Sequence, residues 1–209
     1  MCLWVIWTDH NNIVFENQRV SPQNLFRCVY ERRNSNPSRQ ERVSQVMPTT
    51  IWQAPPVNSI KVNTDAAVAI HKNLSVAAAV CRNSRGIVVK YGVKILHDVV
   101  TAELAESYAV LMGLQMAVDI PVVKPIVEAD ALTVINRLQQ PDNAIDHTQL
   151  IVDDCIDIAR GRDVVFQHIR RDGNVVTHAL AKWGIFFGKD RSFDGEVPFP
   201  VNELVTLSS

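Results

Sequence analysis

Asp65 sits inside IKVNTDAAVAI, a run whose alternation otherwise suits a half-buried strand. Side chains on a strand alternate by two, so Asp65 falls on the face opposite Ile60, Val62 and Thr64. Taken alone, a strand acid is ordinarily a solvent-facing residue. A second carboxylate, Asp130, closes the apolar run IVEAD and opens the next helix. Ligands collect at the carboxyl ends of strands in open α/β sheets, whereas a plain helix N-cap would contribute about 1 kcal/mol. TAELAESYAVLMGLQMA adds Glu103 and Glu106, one turn apart on a helix face that continues through Val110 and Gly113. An acid turned toward a sheet needs a partner or a cation. Three carboxylates from separate elements suit a hard divalent cation such as Mg²⁺. Two such ions about 4 Å apart would activate water and stabilise the leaving oxygen of a phosphodiester.

The elements that must position these acids follow from periodicity. Residues 59–68, 74–82 and 87–96 read as strands joined by the short turns HKN and RNSRG, which predicts an antiparallel meander. Thr101 caps a helix reaching about Asp119, and residues 122–129 form an apolar strand that should be interior and parallel to a neighbour. Helix-like ALTVINRLQQ comes next, then a helix over 148–160, a fifth strand over 163–169 and a helix over 175–187 with Ala179, Leu180 and Trp183 on one side. The order is βββαβα(α)βα.

Upstream, residues 1–34 read as two helices, with Leu3, Trp4, Trp7 and Val14 in the first and Leu25, Phe26, Val29 and Tyr30 in the second. The polar, proline-punctuated stretch Asn34 to Pro56 reads as a linker ending at an anchoring Trp52. The expected division is a helical segment and linker over 1–50, an α/β domain over 51–188 and a tail over 189–209.

Bulk properties narrow the class. A hydrophobic content of 47% is that of a globular protein, and a net charge of −1 provides no global basic field, so any polyanion site must be local. Cys2, Cys28, Cys81 and Cys155 form no C-x-x-C pair for zinc and read as reduced thiols. MCLWVIW falls well short of the roughly 20 residues a membrane span needs. The expectation is an intracellular protein, nuclear or cytoplasmic, with no membrane segment and no small-molecule cofactor. Residues 68–73 hold no glycine-rich phosphate loop, which argues against nucleotide-dependent phosphoryl transfer.

In order, IKVNTDAA, AVCRNSRGIVV, AESYAVLMGLQMA, IVEADALTVI and HIRRDGNVVTHALAKWG resemble the ribonuclease H type 1 domain, in particular the plant retroelement-derived form associated with reverse transcriptases. That resemblance implies an α/β ribonuclease H-like fold: a five-stranded mixed sheet, three antiparallel strands then parallel ones, flanked by helices. It implies Asp65 as the bridging acid and Asp130 as the acid ending the fourth strand. Glu106 is preferred to Glu103, because Ala109, Gly113 and Leu114 complete the family pattern after it. Asn174 matches the family asparagine, and the fourth acid falls at His178. The implied catalytic and metal-binding set is therefore Asp65, Glu106, Asp130 and His178, with two Mg²⁺ ions. Imidazole suits Mn²⁺ better than Mg²⁺.

The implied substrate is an RNA/DNA hybrid, whose RNA strand a metal-dependent endoribonuclease would hydrolyse. Arg82 and Arg85 in a hairpin turn, Arg170 and Arg171 beside the site, and Asn174 are the expected nucleic-acid contacts. His168 could act in proton transfer, and Asp172 could replace part of the missing charge. QPDNAIDHTQ lacks the Trp- and Lys-rich handle of some members. A reading from another class stays open: a catalytically weak or inactive nucleic-acid-binding remnant of a retroelement, favoured by His178. A 3′ to 5′ exonuclease would need a second acid at position 67, which is Ala67.

Overall fold

The computed structural model describes residues 52–99, 101–121, 124–140, 144–199 and 201–207. The two helices and the linker expected upstream lie outside the described residues, apart from the end of that linker at Trp52. The elements are β1 (Ser59–Ala69), β2 (Leu74–Arg82), β3 (Val88–His97), α1 (Ala102–Val118), β4 (Lys124–Ala129), α2 (Leu132–Gln139), α3 (His147–Ala159), β5 (Val165–His168), α4 (Val175–Phe187), β6 (Arg191–Asp194) and α5 (Val201–Leu207), with short 3-10 turns at Ile70–Lys72 and Arg171–Gly173.

The strands form one mixed sheet in the order β5-β4-β1-β2-β3-β6. β1, β2 and β3 make the expected antiparallel meander, and β4 pairs parallel with both β1 and β5. The sheet has six strands rather than five. The sixth comes from the segment expected as a tail and pairs antiparallel with β3, Tyr91 opposite Phe193. Proline and glycine in that segment mask a four-residue strand too short for alternation to register. The Arg191 guanidinium holds it in place, lying 4.5 Å from the Phe187 ring centroid and 4.7 Å from that of Phe193.

Helices cover both faces. On one, Ile60, Val62 and Val127 pack with Val110 and Leu114 of α1, Val134 of α2 and Val152 of α3. On the other, Val76, Val80 and Val93 pack with Val176 and Leu180 of α4 and Val201 of α5. The alanine-rich run of β2 has its reason in this double coverage, since helices approach it closely from both sides. At Gly113 a Cβ would lie 2.8 Å from Thr64 Cγ2 and 2.9 Å from Val62 Cγ1, and at Gly184 it would lie 2.6 Å from Val76 Cγ1. Neither position admits a side chain without displacing its helix. Cys81 and Cys155 are buried free thiols, both pushed up to about 12 by burial, so neither is a ready nucleophile.

Candidate metal centre at the carboxyl ends of β1 and β4

The parallel register sets Thr64 of β1 beside Ala129 of β4. One residue further along each strand come Asp65 and Asp130, so the chain topology alone makes them neighbours on one face. Helix α1, seated against β1 at Gly113, brings Glu106 to the same place two turns earlier along its axis. Ligand oxygens of Asp65, Glu106 and Asp130 all lie within 4.8 Å of one another. Asp65 is 3% exposed, while the other two are half-buried.

Asp130 is not a helix cap. The N-cap of α2 is Ala131, with no side-chain cap bond, so the carboxylate is not occupied by the helix. Thr101, expected to cap α1, also makes no side-chain cap bond. Glu103 points elsewhere: its carboxylate meets Arg137 Nε at 3.2 Å.

Crowding of like charges shows in the protonation preferences. Burial, followed by the charges of Asp65 and then Asp130, pushes the Glu106 carboxyl up to about 9, against a backbone hydrogen bond from Ala66. Asp130 is also raised, by burial and then by Asp65, with Asn174 and Arg171 opposing. Glu106 Oε2 is buried without a hydrogen-bond partner. Oxygen donors, mutual repulsion and an orphaned buried oxygen together fit a hard divalent cation.

The fourth expected ligand differs. His178, 21% exposed in its side chain, sets Nδ1 2.7 Å from Asp65 Oδ2, and the three-acid cluster does not include it. A carboxylate oxygen accepts, so the ring donates. Arg171 Nη2 lies 3.0 Å from His178 Nε2 and 3.4 Å from Nδ1. Similar distances to both ring nitrogens lay the guanidinium over the imidazole rather than in line with either nitrogen.

Two expected nucleic-acid contacts are inside the protein. Asn174 is 1% exposed, and its Nδ2 donates to Thr64 O at 2.8 Å and to Asp130 Oδ1 at 3.4 Å, tying the ends of the two acid-bearing strands together. Arg82 ends β2 instead of facing solvent from the turn. It is 1% exposed, stacks 3.5 Å from the Trp52 ring centroid and donates to Asn63 Oδ1 at 2.9 Å. Arg85, Arg170, Arg171, His168 and Asp172 are exposed, and neither His168 nor Asp172 joins the acid cluster.

Next to the site runs a buried polar network that the motifs in the sequence do not single out. Trp52 Nε1 donates to Asn63 Oδ1 at 2.9 Å, and Asn63 Nδ2 donates to Glu128 Oε2 at 2.9 Å. Lys61 Nζ pairs with Glu128 Oε1 at 2.8 Å, and Gln167 donates to the same oxygen. Its signal was present in β1, where Lys61, Asn63 and Asp65 alternate on one face. A cavity of about 240 Å³ lined by Leu114, Pro125, Ile158 and Val164 lies at the opposite end of β4 from Asp130 and shares none of the acids. Among the described residues no helix is long and apolar enough to cross a membrane.

Comparison with known proteins finds the same fold elsewhere. RNase H1 from the archaeon Halobacterium salinarum superposes with a TM-score of 0.57 at 19% identity, over 62% of this chain and 98% of that one. The N-terminal RNase H domain of a Mycobacterium tuberculosis protein gives 0.56 at 15%, over 62% and 94%. LC11-RNase H1 in complex with an RNA/DNA hybrid gives 0.55 at 17%, over 62% and 98%. No curated protein matches at a significant level. The family model described as reverse transcriptase-like matches residues 63–184, more than half of the chain, and the protein therefore belongs to that family and has an α/β ribonuclease H-like fold.

Proposed function

We propose that the chain is a metal-dependent endoribonuclease that hydrolyses the RNA strand of RNA/DNA hybrids, leaving 5′-phosphate and 3′-hydroxyl ends, and that it derives from a retroelement reverse-transcriptase-associated domain. The observation carrying this reading is the convergence of Asp65, Glu106 and Asp130, with an orphaned Glu106 oxygen, at the carboxyl ends of β1 and β4. Those three residues would hold a divalent cation, Mg²⁺ or the Mn²⁺ that tolerates nitrogen neighbours better, which supplies charge neutralisation at phosphate and activation of water.

The chain's own residues do the positioning. Asn174 fixes the spacing between Asp65 and Asp130 through Thr64 O and Asp130 Oδ1. His178 holds Asp65 in one rotamer. The exposed cations Arg85 and Arg170 suit phosphate oxygens, and an A-form hybrid is read by shape, phosphates and 2′-hydroxyls across its wide minor groove. Arg82 and Asn174, being buried, have no part in that contact.

The test is cleavage of an end-labelled RNA strand in a hybrid, in Mg²⁺ and separately in Mn²⁺, by the wild type, Asp65→Asn and Asp130→Asn. Cleavage should fall at least a hundredfold in both variants with the circular dichroism unchanged; undiminished cleavage by Asp130→Asn would sink the assignment. The contact of His178 with Asp65 favours a second reading, a binding module with little turnover. Hybrid binding without cleavage in either ion would select it.

A further inference from the structure

We propose that this site is built for one divalent cation rather than two, with the Arg171 guanidinium supplying the second positive charge beside Asp65. The inference rests on the reading of Asp65, Glu106 and Asp130 as a cation site.

Charge balance motivates it. The four-acid arrangement that this chain resembles carries four negative charges, which two dications neutralise. Here the converging acids are three. One dication and one guanidinium balance three carboxylates, whereas two dications would leave an excess of positive charge in a half-buried pocket.

Geometry supplies the second argument. A further ion beside Asp65 would need His178 as a ligand, because among the described residues no other His, Cys, Asp or Glu completes the cluster. His178 Nδ1 faces Asp65 Oδ2 at 2.7 Å, so that ring nitrogen is already taken up by the acid with which it would have to share the ion. The remaining nitrogen, Nε2, has Arg171 Nη2 3.0 Å away. A dication on Nε2 would sit against a permanent cation that cannot deprotonate.

Arg171 is also placed to act on more than His178. Its Nη2 lies 3.0 Å from His178 Nε2, and the same ring contacts Asp65 Oδ2, so the guanidinium stands on the far side of the imidazole from that acid. Its position is set by the chain, because the 3-10 turn Arg171–Gly173 runs directly into Asn174, the residue anchored to Thr64 O. The turn that carries the charge is thus tied to the strand that carries Asp65. Arg171 is exposed, so water and salt weaken its field. The effect expected of it is a modest one on affinity together with a firm one on stoichiometry.

Mn²⁺ titration of the purified full chain, with free Mn²⁺ read by electron paramagnetic resonance, tests this without relying on turnover. One Mn²⁺ per chain is expected, lost in Asp130→Asn. Arg171→Gln should tighten that single ion about fivefold, because a competing positive charge is removed; a merely structural arginine would instead weaken binding on removal. The double variant His178→Asp with Arg171→Gln should bind two ions. Two ions in the wild type, weaker binding in Arg171→Gln or a single ion in the double variant would each overturn the inference while leaving the three-acid site standing. No ion in the wild type would overturn the site reading and the inference with it.

Discussion

Glu106 is where the site's electrostatic tension is most visible, because burial and two neighbouring carboxylates leave it holding a proton in preference to a charge. The sign of the resulting pH dependence follows from linkage. Its folded value, about 9, stands above the ordinary 4.5, so between those two values the folded chain binds a proton that the unfolded chain has released. In EDTA, stability should therefore fall as pH rises through that window, and Glu106→Gln should flatten the slope. The check is a series of thermal melts with and without the substitution; a wild-type slope of opposite sign would mean that the three acids do not repel as placed. Added Mn²⁺ should remove most of the slope, since a cation replaces the proton. The same reasoning expects the metal-free Glu106→Gln protein to melt higher than the wild type, a functional carboxylate being held at the expense of stability.

Among the elements, α1 controls whether Glu106 reaches the other acids at all. It sits close on β1 because Gly113 has no Cβ, and a methyl there would press on Thr64 and Val62, both in the interior of the sheet. Gly113→Ala should destabilise the protein by about 2 kcal/mol, within the usual range for overpacking and despite alanine's better helix propensity, as read from urea denaturation. It should also weaken Mn²⁺ binding, because lifting α1 moves Glu106 away from Asp65. A stabilised variant would mean that the helix shifts freely and that the glycine has no role in the site. Much of this was legible in the sequence. Alternation gave β1 and β2, the 3.6-residue period gave α1 and α4, and IVEAD placed Asp130 at a strand end. What periodicity could not report was the company a side chain keeps. Arg82 reads as a turn arginine, yet a stacked Trp52 and an Asn63 acceptor 19 residues away draw it inside. Asn174 reads as a loop residue for a ligand, yet its partner is a carbonyl 110 positions earlier. Such long-range polar pairings leave no local pattern.

At the scale of the whole molecule, the segment beyond Gly188 closes one sheet edge and one face of the core. β6 covers Lys90–Val93 of β3, Asp190 Oδ1 accepts from Ile95 N at 2.8 Å, and Val197 and Val201 are buried against the cluster that includes Val80 and Leu180. Burying two valines contributes about 3 kcal/mol before any strand pairing is counted. Ending the chain after Gly188 would remove the Arg191 stack on Phe187, uncover the β3 edge and expose apolar surface beneath α5. Unpaired edges next to apolar surface promote association between chains. The truncated chain should lose roughly 3 kcal/mol or more in urea denaturation, bind the dye ANS and self-associate in sedimentation velocity, while the full chain does none of these at the same concentration. Because the acid triad lies on β1, α1 and the end of β4, on the other side of the meander from β6, the fraction of truncated chain that stays folded should still take up Mn²⁺. Unchanged stability with no dye binding would instead mean that β6 and α5 rest on a core already complete without them.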